Sequence, residues 1–184
     1  MLQQRAFVLA ATFILGLTSA AAQDDTRVGE RRQEIDRAAQ AALDDLFAAQ
    51  ANTRELYDRA VGYAVFTATK AGFIVSGGGG TGVAVNKASG QRTYMRMGTG
   101  GIGLGIGAQR YNVYVLFENE TALGKFVAGG WDSSATAEAA AGKEGVAVRS
   151  SFIDGIAFFQ LTDKGLMAHA DVTGTRFWVI DELR

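Results

Sequence analysis

Gly98-Thr99-Gly100-Gly101-Ile102-Gly103-Leu104-Gly105-Ile106-Gly107-Ala108-Gln109 is the stretch on which the fold turns. In a strand, residues i and i+2 share a face. Gly101, Gly103, Gly105 and Gly107 therefore leave one face as bare backbone, while Ile102, Leu104 and Ile106 clothe the other. A bare face lets another element lie very close and permits strong bending. The expectation is an α+β fold built on a curved, largely antiparallel, glycine-rich sheet with packed helices, closure into a barrel being the limit of that curvature. A helix or a large aromatic would fill the glycine groove. Gly98-Thr99-Gly100-Gly101-Ile102-Gly103 also satisfies G-x-G-x-x-G, but that fingerprint has meaning only where it opens a helix. Glycine costs a helix interior about 1 kcal/mol per residue, and here it recurs as far as Gly107, so the segment reads as strand and not as a cofactor loop.

Outward from this centre the period stays at two. Tyr63–Thr67, Ala71–Ser76 and Thr81–Val85 read as strands, with the run Gly77–Gly80 as a bend or a tightly packed strand stretch. Asn86–Gln91 is a turn, and Arg92–Met97 pairs back as a hairpin. Tyr111–Phe117 places Val113, Val115 and Phe117 on one face and Tyr114 and Leu116 on the other. Asn119 caps a helix running to about Ala128, stopped by Gly129-Gly130. Gly145–Ser150, Gly155–Leu161, Lys164–Val172 and Thr175–Ile180 read as further strands, and Ser133–Ala141 fits either period. Before the sheet, Glu30–Gln50 is an amphipathic helix in which Ile35, Ala38, Ala39, Ala42, Leu43, Leu46 and Phe47 recur at spacings of three and four. A short helix follows over Thr53–Ala60, introduced by Asn52 and Glu55 at capping-box spacing.

The chain begins as an exported protein would. Arg5 precedes the apolar run Ala6–Leu17, and Thr18, Ser19, Ala20, Ala21 and Ala22 follow. This is a secretory signal peptide over residues 1–22, too short in its apolar part to span a bilayer comfortably. Residues 23–184 then form one domain of 162 residues. Export without a single cysteine favours a bacterial periplasm and excludes disulfides and thiolate metal sites. One histidine excludes a histidine-rich metal site.

The net charge of −1 hides a strong segregation. Residues 59–117 hold six basic residues, Arg59, Lys70, Lys87, Arg92, Arg96 and Arg110, and no acid; the flanking segments 23–58 and 118–184 each carry −4. Such a stretch can build a local positive field in an acidic protein. Arg92, Tyr94 and Arg96 alternate along one strand face, and Lys87 lies in the adjacent turn. Lys70 and Arg110 are the remaining candidates for an anion-facing surface. Catalysis finds little support. His169 and Asp171 share a strand face, as a base and its orienting acid would, but no G-x-S-x-G elbow accompanies them. Six cations spread over 59 positions are too sparse for nucleic acid.

Lys70-Ala71-Gly72-Phe73, the glycine segment Gly98–Gly105, Val113–Phe117, Phe126-Val127-Ala128-Gly129-Gly130-Trp131 and Lys164-Gly165-Leu166 resemble, in this order, segments of the SYLF-domain family. The similarity covers roughly Ala51–Ile180. That family includes exported bacterial proteins and eukaryotic phosphoinositide- and actin-binding proteins. The resemblance implies lipid binding through anionic headgroups, without a cofactor; an exported member has no access to actin. The expected function is thus a periplasmic, non-enzymatic protein that binds anionic phospholipid or a membrane surface through Lys87, Arg92, Tyr94, Arg96, Lys70 and Arg110. The alternative is an envelope structural module that receives a protein partner. The leader generates the first testable outcome: mass spectrometry of the exported protein should find an N-terminus between Ala21 and Gln23, and an intact Met1 in a membrane pellet would refute it.

Overall fold

The computed structural model describes residues 3–72, 75–102, 107–129, 152, 154–162, 165–168 and 175–184. Three helices and seven strands lie within them: α1 (Gln3–Ala49), α2 (Asn52–Arg59), β1 (Gly62–Gly72), β2 (Val75–Asn86), β3 (Arg92–Ile102), β4 (Gly107–Phe117), α3 (Glu120–Gly129), β5 (Ile156–Thr162), β6 (Gly165–Ala168) and β7 (Thr175–Val179), with a 3-10 turn at Asp181–Leu183. The strands form a single antiparallel sheet in the order β6-β5-β4-β1-β2-β3-β7. The α+β class and the antiparallel pairing agree with the sequence reading. The expected curved, barrel-like form does not. The strand order is linear and ends at β6 on one side and β7 on the other, so the sheet is open, neither curled nor closed.

Alternation gives the sheet two apolar faces. Val65, Val83, Val85, Tyr94, Tyr114, Leu116 and Phe159 face α1, where Ile35, Ala39, Ala42, Leu43 and Leu46 are buried against them. Phe66, Met95, Met97, Val113, Val115, Phe117, Phe158 and Phe177 face the other way, towards Leu123 and Phe126 of α3. Phe126 is the hub of that second layer, with ring centroids 5.1 Å from Phe117, 5.2 Å from Phe177 and 6.3 Å from Phe66. Each such side chain withdrawn from water stabilises the fold by about 1.5–3 kcal/mol. The small alanines of α1 let it lie close on the sheet, and the Tyr114 hydroxyl donates to the Ala42 carbonyl at 2.8 Å.

Local expectations fare unevenly. The hairpin pairs Val85 with Arg92, and Asn86 Oδ1 accepts from the amides of Ala88 and Ser89 in its turn, which Gly90 closes at φ +72°. Asn119 caps α3 by accepting from the Ala122 amide at 3.0 Å. The capping box at Asn52 is corrected: Ala51 is the N-cap without a side-chain bond, and the Thr53 hydroxyl donates back to Gln50 O at 2.6 Å. Ala71–Ser76 is not one strand, because β1 ends at Gly72 and β2 begins at Val75, with Gly72 opposite Ser76. The segment expected as a leader and the helix expected over Glu30–Gln50 form one continuous helix from Gln3 to Ala49. Gly103, Gly105, His169, Asp171 and Gly145–Ser150 lie outside the described residues. No helix among the described residues is long and apolar enough to cross a membrane.

The close approach expected at Gly103 and Gly105 falls outside the described residues, but a glycine of β2 shows one. A Cβ at Gly82 would stand 2.1 Å from the Val65 carbonyl oxygen and 2.5 Å from Phe66 Cδ1, so the Phe66 ring lies in the space a side chain would take and reaches Phe177 at 4.8 Å. A Cβ at Gly77, in the same strand, would meet nothing within 4 Å. Gly82→Ala should therefore cost about 2–4 kcal/mol in urea melts, while Gly77→Ala should stay within about 0.5 kcal/mol of the parent. Equal effects at the two positions would contradict this packing.

Candidate functional site

Of the six basic or aromatic residues singled out in the acid-free stretch, the fold occupies three. Asp36 of α1 reaches down to β3, its Oδ1 2.7 Å from Arg92 Nη1 and its Oδ2 accepting from the Tyr94 hydroxyl at 3.1 Å. The hydrogen bond to Asp36 raises the Arg92 pKa. Burial, and then the same carboxylate, raise that of Tyr94. Arg32 adds a cation over the Tyr94 ring at 5.9 Å. Tyr94 is buried under α1 and is not presented to a headgroup. Lys87 Nζ donates to the carbonyls of Tyr57 (2.8 Å) and Asp58 (3.3 Å) at the end of α2 and sits 4.5 Å from the Tyr57 ring centroid. It neutralises the carbonyl end of that helix. Burial, with Tyr63 beside it, pushes the Tyr57 hydroxyl up to about 12.

Lys87, Arg92 and Arg96 therefore do not form one free cationic patch. Lys70 lies on the opposite face of the sheet, half-buried, at a cleft of about 20 Å³ beside Met97 and Tyr111. Arg96 and Arg110 remain exposed, both on the α1 side of the sheet.

Among the described residues, that side is only half covered. α1 lies over the row formed by Tyr114, Val65, Val83 and Tyr94. Two rows beyond it are set by the register. The first is Asn112–Thr67–Thr81–Arg96–Trp178, and the second Arg110–Thr69–Gly79–Gly98–Arg176. Each spans five strands, about 19 Å at the usual strand separation. Thr67, Thr69 and Gly79 are exposed, as are all three arginines. Trp178 is 45% exposed and is the large apolar side chain the described surface leaves open. Its ring lies over Gly98, where a Cβ would stand 3.0 Å from Trp178 Cη2. The ten positions carry three arginines and no acid. The result is an open platform of small residues, rimmed by Arg110 on one side and by Arg96, Arg176 and Trp178 on the other.

Sequence reasoning missed Arg176 and Trp178. Their signal was present: in Thr175–Ile180 they alternate with Phe177 and Val179, as the outward face of a half-buried strand does. Among the described residues no cluster of three or more His, Cys, Asp or Glu could hold a metal.

The division between occupied and free cations is measurable. Asp36→Ala should cost about 1–2 kcal/mol, the worth of a charge-assisted hydrogen-bond pair, and in a double-mutant cycle Asp36 and Tyr94→Phe should couple. Arg96→Ala should change stability by less than about 0.5 kcal/mol. Urea melts of the three single variants and of the Asp36→Ala/Tyr94→Phe double variant decide it; a cost at Arg96 equal to that at Asp36 would remove the distinction.

No family model matches the chain. It is similar to a curated protein, Beta cell expansion factor A of Aeromonas veronii, with 36% identity over 154 residues, an alignment that takes in 84% of this chain. The chain spans about 59% of the length of that relative.

Proposed function

We propose that this is an exported, non-enzymatic protein that binds an anionic membrane surface, with the platform of Arg96, Arg110, Arg176 and Trp178 as its contact. The observation that carries the reading is the register that brings three arginines, without an ion-pair partner among the described residues, and an exposed tryptophan onto ten positions that hold no acid. So broad a contact suits a bilayer better than a single small molecule, because Arg110 and Arg176 stand about four strand separations apart, roughly 19 Å. Near an anionic leaflet a surface Arg is worth about 1 kcal/mol and fades within a Debye length. Tryptophan is at home at the headgroup level, its ring apolar and its N–H wet. The resemblance to the SYLF family, with its lipid-binding members, points the same way and supplies the lipid class by analogy. The site moves from the hairpin to the outer rows of the same face. Lys87 and Arg92 act in holding the helices, and Lys70 on the far face is not part of the contact.

Three cooperating arginines give weak, reversible attachment. Flotation with vesicles of phosphatidylglycerol and phosphatidylcholine should show binding that rises with the anionic fraction and falls between low and high salt. Arg96→Glu/Arg110→Glu/Arg176→Glu should abolish it, and Trp178→Ala should weaken it at every salt concentration. Salt-insensitive binding unchanged in the triple variant would exclude the platform and favour a protein-binding envelope module.

A further inference from the structure

Beside the platform, α1 overhangs β3 and the 3-10 turn, and a concave surface of about 1050 Å³ lies between them. It is of small-molecule size, and its lining is neither cationic nor anionic but both. Arg27, Arg31 and Arg37 project from α1 and Arg96 from β3. Glu30 and Glu34 alternate with those arginines along the helix, and Glu182 faces them from the turn. Val28, Ile180 and Leu183 supply an apolar base. The charges do not satisfy one another well. The ion pair formed within the set is Arg31–Glu34, at 3.8 Å and with both side chains more than half exposed. Such a pair is worth little.

The far wall is fixed in advance. Arg32 Nε donates to the Leu183 carbonyl at 3.2 Å and its Nη2 to that of Arg184, so the turn is tied to α1 whether or not anything is bound.

A purely anionic ligand entering this space would meet three carboxylates, and a purely cationic one four guanidinium groups. Each kind of ligand is opposed by one half of the lining, which is how a site discriminates as well as attracts. A ligand carrying both charges on one short, flexible frame is opposed by neither. We infer that the groove between α1, Arg96 and the 3-10 turn binds a phosphate ester that also carries a primary ammonium, the phosphoethanolamine class. The arginines take the phosphate oxygens, for which the planar guanidinium is suited. The glutamates take the ammonium, whose three protons want acceptors. Val28, Ile180 and Leu183 meet the carbon chain. This headgroup occurs on a bilayer lipid and as a free glycerol phosphodiester; the inference rests on the membrane reading only in making the lipid its natural source.

The test uses the whole chain and two kinds of probe. Soluble glycerophosphoethanolamine is titrated and followed by NMR, with glycerophosphate and glycerophosphocholine as comparisons. Flotation is run with phosphatidylethanolamine mixed into phosphatidylcholine vesicles, and separately with phosphatidylglycerol vesicles. The variants are Glu30→Gln/Glu182→Gln and Arg27→Gln/Arg31→Gln, all exposed positions whose melting temperatures should match the parent.

The groove predicts that phosphoethanolamine, free or in the bilayer, binds better than the other two headgroups. Each double variant should weaken it by about tenfold, equivalent to about 1.4 kcal/mol. The glutamate variant should leave phosphatidylglycerol binding equal or stronger. If only the bilayer form responds, and does so through the glutamates, the site is one for the lipid. Equal binding of glycerophosphate, or phosphoethanolamine binding indifferent to Glu30 and Glu182, overturns the inference while leaving the platform intact. Failure to bind any vesicle overturns the platform, and the soluble headgroup then decides the groove by itself.

Discussion

The carboxylate of Asp36 decides which cations of this protein are free. It stands where α1 crosses β3, and it holds Arg92 and the Tyr94 hydroxyl together. That contact does more than fasten a helix. It places α1 over one half of a sheet face and leaves the other half uncovered among the described residues, and it buries Tyr94 and pairs Arg92. Lys87, though exposed, is occupied by the carbonyls at the end of α2. What remains cationic is defined by subtraction. Arg96 lies one row beyond the helix, and Arg110 and Arg176 lie one row further at opposite ends of a register line.

Much of the fold could be read from short-range pattern. Tyr111–Phe117 alternates so strictly that both its faces were legible, and the hairpin around Asn86–Gln91 announces itself by its turn residues. α3 could be placed by Asn119 and Gly129. Where the signal misled, the chemistry explains it. Ala71–Ser76 contains apolar residues suited to a strand and no Asn, Asp or Pro, so a reversal of the chain is disguised as a continuation. The glycine-rich centre, read as one strand of a curved sheet, is divided: residues 98–102 end β3, residues 107–109 begin β4, two strands separate them, and the sheet is open.

The site was legible only in part because it is made by register. Alternation places Arg92, Tyr94 and Arg96 on one face, and this is correct. It does not say that a helix from sixty residues earlier brings an acid to the first two and not to the third. Nor could Trp178, eighty residues later, be paired with Arg96 without the β3–β7 ladder. Charge segregation along the chain says where cations are in excess, but which of them lack a partner among the described residues depends on long-range contacts that no local window contains.

The floor of threonine and glycine in the platform has a mechanical consequence. These residues have almost no rotamer freedom to lose, so covering them costs little conformational entropy, and the ordering cost of a contact falls on the rim arginines. The ladder beneath them is hydrogen-bonded across five strands and cannot shift its spacing to suit a partner. Adaptation must therefore come from the other side. A fluid array, in which the anionic groups diffuse until they match the fixed arginines, meets that demand; a rigid lattice of charges at another spacing does not.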